Sequence, residues 1–232
     1  NKIECEALLK ETLIYGSYPE IFLSGVAEKK LILDNLANKY LFNDLFELER
    51  VKRPDVLAKL LQLLAFQIGN EVSRNELSTN LGVNRDTIDR YLHLLESAFI
   101  IFRVKSLSRN LRKELTKKEK YYFYDLGIRN SIIGNLNTIE LRDDVGALWE
   151  NFCMVERIKY WQKHGLYGNR YFWRTYDQQE IDLVEERGGK MYAYEFKWKE
   201  KSWKIPKPFK EEYQIAESRL VTPKNYEKFL MV

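Results

Sequence analysis

The C-terminal half of the chain carries acidic residues and a lysine at spacings that suit phosphoryl chemistry. Residues 179–186 and 190–198 read as strands joined by Arg187-Gly188-Gly189, whose glycines permit the positive φ of a hairpin turn. Side chains alternate across a strand. Glu180 and Asp182 therefore share one face, with Ile181 and Leu183 on the other. Glu195 and Lys197 likewise share a face, with Phe196 and Trp198 opposite. Paired as a hairpin, the strands bring Asp182, Glu195 and Lys197 together, and Glu150 on a preceding helix is placed to add a carboxylate. Clustered carboxylates repel one another and lose hydration, a cost that a divalent cation offsets. Mg²⁺ or Mn²⁺ suits such hard oxygen ligands, activates water and stabilises charge developing on phosphorus. A nearby lysine can orient that water or stabilise the oxyanion.

These residues need elements to hold them. A helix over 143–163, with Leu148, Phe152, Val155 and Tyr160 inward, precedes strands at 170–175, 179–186 and 190–198. A helix over 207–216 and a short strand over 218–222 close the chain. Upstream, helices are expected at 4–15 and 28–48, the first with Leu8, Leu9 and Leu13 and the second with Ile32, Leu36 and Tyr40 as apolar faces.

Between these parts the local signals are stronger. Pro54 opens a helix over 55–68 that Gly69 and Asn70 end. Ser73-Arg74-Asn75-Glu76 is a capping box that starts a short helix. Leu81-Gly82-Val83 turns the chain, and Asn84 caps a helix to about Ser97, with Ile88, Tyr91, Leu92 and Leu95 on its apolar face. Strands follow at 99–104 and 121–124. Helix, helix, turn, helix, strand is the winged form of the helix-turn-helix. Its third helix would present Asn84, Arg85, Thr87 and Arg90 to nucleic acid. A basic run lies where the wing tip falls, including Arg103, Lys105, Arg109, Arg112, Lys113, Lys117, Lys118 and Lys120. A second cluster is Lys197, Lys199, Lys201, Lys204, Lys207 and Lys210. Both can neutralise phosphates. Winged helices also serve as protein contacts, so a protein partner stays open beside DNA.

Composition excludes several other classes. The 232 residues are 45% hydrophobic and 31% charged, a globular balance, and the net charge is only +4. No apolar run approaches the roughly 20 residues of a membrane span, and no secretory signal opens the chain, so a cytoplasmic protein without membrane contact is expected. Cys5 and Cys153 are far apart and suggest free thiols. His93 and His164 sit in no metal-binding or nucleophile-pairing pattern. The first residue is Asn, which suggests a piece of a longer protein.

The pair Glu180-Ile181-Asp182 and Glu195-Phe196-Lys197 resembles the PD-(D/E)XK nuclease superfamily, without the proline that usually precedes the first Asp. That resemblance implies Asp182 and Glu195 as metal ligands, Lys197 as catalytic lysine, and Glu150 as the upstream acid and further ligand. A wider resemblance rests on motifs in order: Tyr15-Gly16-Ser17-Tyr18-Pro19-Glu20; Asn75-Glu76-Leu77 with Leu81-Gly82-Val83 and Tyr91-Leu92; Tyr124-Asp125-Leu126-Gly127-Ile128-Arg129-Asn130; Gly146-Ala147-Leu148-Trp149-Glu150-Asn151-Phe152; and Phe172-Trp173-Arg174-Thr175. Together with the acidic pair they resemble the C-terminal part of prokaryotic AAA-type ATPases that carry a domain of unknown function after the ATPase core. This implies an α/β (α+β) chain in three parts: 1–50, the helical end of an ATPase lid; 51–120, a winged helix; and 121–232, a restriction-nuclease-like mixed sheet flanked by helices. It also implies a preceding P-loop domain, a partner of this chain and the place where ATP binds. No G-x-x-x-x-G-K-[ST] occurs here, so no ATPase activity is expected of these residues alone. Three readings remain open: a DNA- or partner-binding module on a nuclease-like fold, an active Mg²⁺- or Mn²⁺-dependent nuclease, and a structural or homo-oligomerising domain.

Overall fold

A computed structural model describes residues 2–37, 51–107 and 119–231. Its class is the mixed α/β one expected, with a seven-stranded mixed sheet flanked by helices. The chain forms two compact units, one of residues 1–103 and 121–144, the other of residues 104–120 and 145–232.

The first unit opens with α1 (Lys2–Tyr15), α2 (Pro19–Leu23) and α3 (Val26–Asn35). The expected helix over 28–48 is seen as far as the described residues go, and Tyr40 lies outside them. Helix α4 (Pro54–Phe66) starts on its proline and buries Val56, Leu57, Leu60, Leu61, Leu64 and Ala65. After the short strand β1 (Glu71–Val72), Ser73 Oγ accepts the amide of Glu76 at 3.4 Å and opens α5 (Arg74–Leu81). Gly82 ends α5 in the left-handed region, φ +62°. Asn84 Oδ1 accepts the amide of Thr87 at 2.9 Å and starts α6 (Arg85–Ser97), which buries Ile88, Tyr91, Leu92 and Leu95. Strand β2 (Ile101–Ser106) begins two residues later than its composition suggests. The reason is the close of α6: Phe99 N–H donates to Glu96 O, Ile100 N–H to Leu95 O, and Phe99 takes φ +55°. That is the paired-bond helix ending that usually recruits glycine, and it consumes both residues. Strand β3 (Glu119–Phe123) lies between β1 and β2.

Helix α7 (Leu126–Ile132) fastens the start of this unit to its end. Asp125 caps it through the amide of Ile128 at 3.0 Å and accepts the amide of Ser17 at 2.7 Å. The buried Asn130 donates from Nδ2 to Leu13 O at 3.0 Å and Ile14 O at 2.8 Å, satisfying carbonyls at the end of α1. Arg129 donates to Ala65 O at 2.8 Å, and Arg129 and Arg142 both pair with Asp144.

The second unit is built on α8 (Val145–His164) and β4 (Asn169–Arg174), β5 (Glu180–Arg187), β6 (Lys190–Phe196) and β7 (Ile215–Val221). β2 runs parallel to β4, β4-β5 and β5-β6 are antiparallel, and β6-β7 is parallel. Gly188 and Gly189 make the hairpin turn at φ +53° and +74°. Leu148 and Val155 of α8 are buried as expected, whereas Phe152 and Tyr160 are only half-buried. The remaining inward places go to Trp149, Asn151, Cys153, Met154, Arg157, Ile158 and Trp161. Two expectations fail here. Helix α9 spans only Lys207–Glu212, not 207–216, because Tyr213 turns extended and the chain pairs with β6 from Ile215. The alternation that set Leu183 beside Ile181 also fails. Trp173 pairs with Ile181 but Tyr171 pairs with Val184, so three steps on β5 oppose two on β4. This bulge resets the pleat, and Ile181 and Val184 pack in one apolar cluster with Leu107, Trp173, Ala193, Phe209 and Tyr213. A short helix, α10 (Tyr226–Leu230), ends the unit.

Candidate functional site

The second unit gathers the predicted acidic residues. Asp182 follows Ile181 into the bulge, is 4% exposed, and accepts the backbone N–H of Phe196 through Oδ2 at 2.8 Å. That bond joins β5 to β6 beyond their last paired residues, Leu183 and Tyr194, with Asp182 one position further and Phe196 two. Glu195 sits next to Phe196 on β6, and its Oε1 lies 2.6 Å from Lys197 Nζ. Its other oxygen, Oε2, is buried and has no hydrogen-bond partner.

Glu150, on α8, does face this group. The connection is a residue that the spacing argument passed over. Lys120 of β3 is 2% exposed, and its Nζ lies 3.1 Å from Glu150 Oε1 and 2.6 Å from Glu180 Oε1, over the Phe172 ring. The sequence held a signal: Lys120 precedes Tyr121-Tyr122-Phe123 within a strand whose other inner residues are aromatic. Grouped with the basic run, it looked like surface charge.

The electrostatics follow from this crowding. Burial pushes the Asp182 carboxyl well above the usual carboxylate range, and Glu150 and Glu195 push it further, against Lys120 and Lys197. Glu195 is raised by burial as well, which Lys197 only partly offsets. Both lysines lose hydration on burial, yet the carboxylates outweigh that loss and hold them protonated above the ordinary lysine value. Among the described residues no group of three or more His, Cys, Asp or Glu side chains is placed to hold a metal ion. Magnesium needs only one or two protein carboxylates beside water and phosphate, and the unpartnered Glu195 Oε2 is such a donor, so the residues fit a hard cation.

A groove of about 530 Å³ adjoins the cluster, lined by Glu180 and Glu195 together with Lys197, Lys204, Lys207 and Trp203. Half of the second basic cluster thus shares a groove with the acids. Lys199, Lys201 and Lys210 are exposed outside it.

The predicted nucleic-acid contacts of the helix-turn-helix fare differently. Asn84 spends its side-chain oxygen on the helix cap. Arg85 lies 3.8 Å from Asp89, which also binds Arg74 at 2.9 Å, and Arg90 stacks over the Tyr91 ring. Thr87 is half-buried. Arg109, Arg112, Lys113, Lys117 and Lys118 lie outside the described residues.

Residues 6–138 match a family described as "Domain of unknown function (DUF8612)", and residues 145–229 match "Domain of unknown function (DUF4143)". The chain belongs to the DUF8612 family. The DUF8612 match ends at residue 138, six residues before the first unit does, and the DUF4143 match covers most of the second. Uncharacterised proteins of Mycobacterium tuberculosis and Mycobacterium bovis are each 27% identical to the DUF8612 chain over 166 residues, 71% of it and 37% of the relative. An uncharacterised protein of Haemophilus influenzae is 24% identical over 231 residues, 97% of this chain and 52% of that one. The DUF8612 chain therefore spans about half or less of the length of these relatives. No solved structure matches it. Among the described residues no helix is long and apolar enough to cross a membrane.

Proposed function

We propose that this chain is the nucleic-acid-binding C-terminal region of a larger prokaryotic AAA-type ATPase, with a nuclease-like domain as its binding platform. The observation that carries the reading is the groove in which Lys197, Lys204 and Lys207 stand beside Trp203. Lysines beside an aromatic ring suit a phosphate backbone and a stacked base. The ordered motifs and the greater length of the relatives support the place in a longer ATPase. Fluorescence anisotropy with labelled single- and double-stranded oligonucleotides at two salt concentrations tests the reading. Replacing Lys204 and Lys207 with Ala should weaken binding about ten-fold or more and lower the salt slope by roughly two. Absence of binding to every oligonucleotide would turn the groove toward a protein partner or a second copy of the chain.

A second reading, hydrolysis of phosphodiester bonds dependent on Mg²⁺ or Mn²⁺, is favoured by the unpartnered Oε2 of Glu195. When bound, the cation would supply Lewis-acid polarisation and an activated water. Glu195 would hold it through Oε2, and the resemblance implies Asp182 and Glu150 as further ligands that would have to close on it. Phe196 N–H fixes the Asp182 carboxyl, and the protonated Lys197 is placed to meet negative charge at the Glu195 side of the groove. Plasmid nicking in Mg²⁺ and Mn²⁺, lost in both Asp182→Ala and Lys197→Ala, is the expected result. A wild-type chain that nicks in neither metal removes this reading and leaves the first intact.

A further inference from the structure

We infer that Lys120 is a resident cation: its Nζ holds the place between Glu150 and Glu180 that a divalent cation would take, and so sets how tightly the cluster binds metal. The inference deepens the cation-dependent reading of the same site.

Lys120 is the most enclosed charge of the cluster, 2% exposed, with a carboxylate oxygen at 2.6 Å and another at 3.1 Å. An ammonium ion on a four-carbon stem is a compact point charge. Between two glutamates it does electrostatically what a small hard cation does, without a metal's need for further ligands. The cluster counts Glu150, Glu180, Asp182 and Glu195 against Lys120 and Lys197. The ammonium groups fall short of the carboxylates when all are ionised, and Glu195 Oε2 is left buried without a donor. Glu150 and Glu180 both act electrostatically on Glu195, so the orphaned oxygen belongs to the same field as the pair that Lys120 bridges. Lys120 thus neutralises one end of the cluster and leaves the other unsatisfied. A divalent cation that takes Glu150 and Glu180 must displace Lys120 from both.

Removing the ammonium while keeping the stem should convert the competition into a vacancy. Mn²⁺ is titrated by calorimetry, without nucleic acid, into the wild-type chain, Lys120→Met and Lys120→Met/Glu180→Gln. Lys120→Met should bind Mn²⁺ at least ten-fold more tightly than wild type, and its melting temperature should rise with Mn²⁺ by more than the wild type's. The double variant, which lacks one of the freed carboxylates, should lose most of that gain. Should Lys120→Met fail to fold in chelator, recovery of its fold on adding Mn²⁺ supports the inference, and failure to recover overturns it. Equal or weaker Mn²⁺ binding by a folded Lys120→Met, or a gain undiminished in the double variant, also overturns it. Nicking by wild type without tighter binding by Lys120→Met would sink this inference alone. Tighter binding with no nicking by any form would sustain it and sink the hydrolytic reading.

Discussion

Gly16 and Asp125, far apart in sequence, are in direct contact: a Cβ placed on Gly16 would lie 2.1 Å from Asp125 Oδ1. Asp125 meanwhile takes the amides of Ser17 and Ile128, so its carboxylate cannot move aside without releasing two donors. Gly16→Ala is therefore expected to lose about 3 kcal/mol or more of stability, since the clash adds to the penalty of its φ of +80°. Gly82→Ala is the control. It has φ +62° but open space around it, and should cost only about 1–2 kcal/mol. Urea unfolding measures both, and equal losses would refute the latch.

The acidic cluster should make stability fall as pH rises. Asp182 and Glu195 have raised carboxyl pKa values, burial being the first cause in each. In the window from the ordinary carboxylate range, about 4, up to those raised values, the folded chain holds protons that the unfolded chain has released. Their contribution is fully present below that window and is lost as pH climbs through it. Asp182→Asn keeps an oxygen for the Phe196 amide and removes the ionisation. In metal-free buffer it should melt at a higher temperature than wild type near neutral pH, by the equivalent of about 1 kcal/mol or more, with a flatter pH profile. A lower melting temperature would show that Asp182 is more comfortable ionised than its surroundings suggest.

Arg157 and Glu185 test the other buried charge pair of the second unit. Arg157 binds Glu185 through two nitrogens, at 2.6 and 2.9 Å, and donates to Phe229 O, while Trp161 Nε1 donates to the same carboxylate at 2.9 Å. Both charged side chains are sealed from water. Arg157→Met leaves the buried Glu185 carboxylate with only Trp161 and Arg187, whose Nε lies 3.2 Å from Oε2, and should cost about 3 kcal/mol, whereas Arg157→Met/Glu185→Leu should recover part of that loss. Denaturant midpoints decide it; a double variant no better than the single would mean that packing, not charge, dominates.

Thiol labelling gives a simple check on the packing of α8. Cys5 is exposed, and Cys153 is buried with its thiol pKa raised by burial and by the nearby Asp182. A thiol reagent near pH 8 should modify one cysteine per native chain and the second only after denaturation. Rapid modification of both would place Cys153 nearer solvent.

Much of the fold was legible because its signals are local. Ser73, Gly82 and Asn84 act within a few residues of themselves, and each starts or stops a helix where its chemistry says it should. The hairpin glycines are equally local. What the sequence hid depends on partners distant in the chain. The end of α9 at Glu212 is decided by strand pairing with β6, which no local propensity reports. Asn130 and Arg129 stood inside a recognisable motif but gave no hint that they tie α1 and α4 to α7. For the site, the structure brings Asp182 near Glu195 and Lys197 although the alternation used to place it breaks at the bulge, and the sequence reading missed Lys120, because a lysine beside aromatics is read as surface until its two glutamates are seen.

The bulge in β5 lets one strand answer two incompatible demands. If the same residues kept a strict two-residue rhythm from Ile181, with no bulge, Glu185 would fall on the apolar side that now holds Trp173 and Phe209, and Arg157 would face a gap. One surplus residue shifts the reading frame of the pleat, so that the same strand delivers an acid to the cluster at Asp182 and, three residues on, a second acid to its own cationic partner. Deleting Asp182 would restore an even two-residue rhythm between Ile181 and Val184 and keep Glu185 on the face of Arg157, while taking the acid out of the first cluster. Length here, as much as chemical identity, is the inherited information.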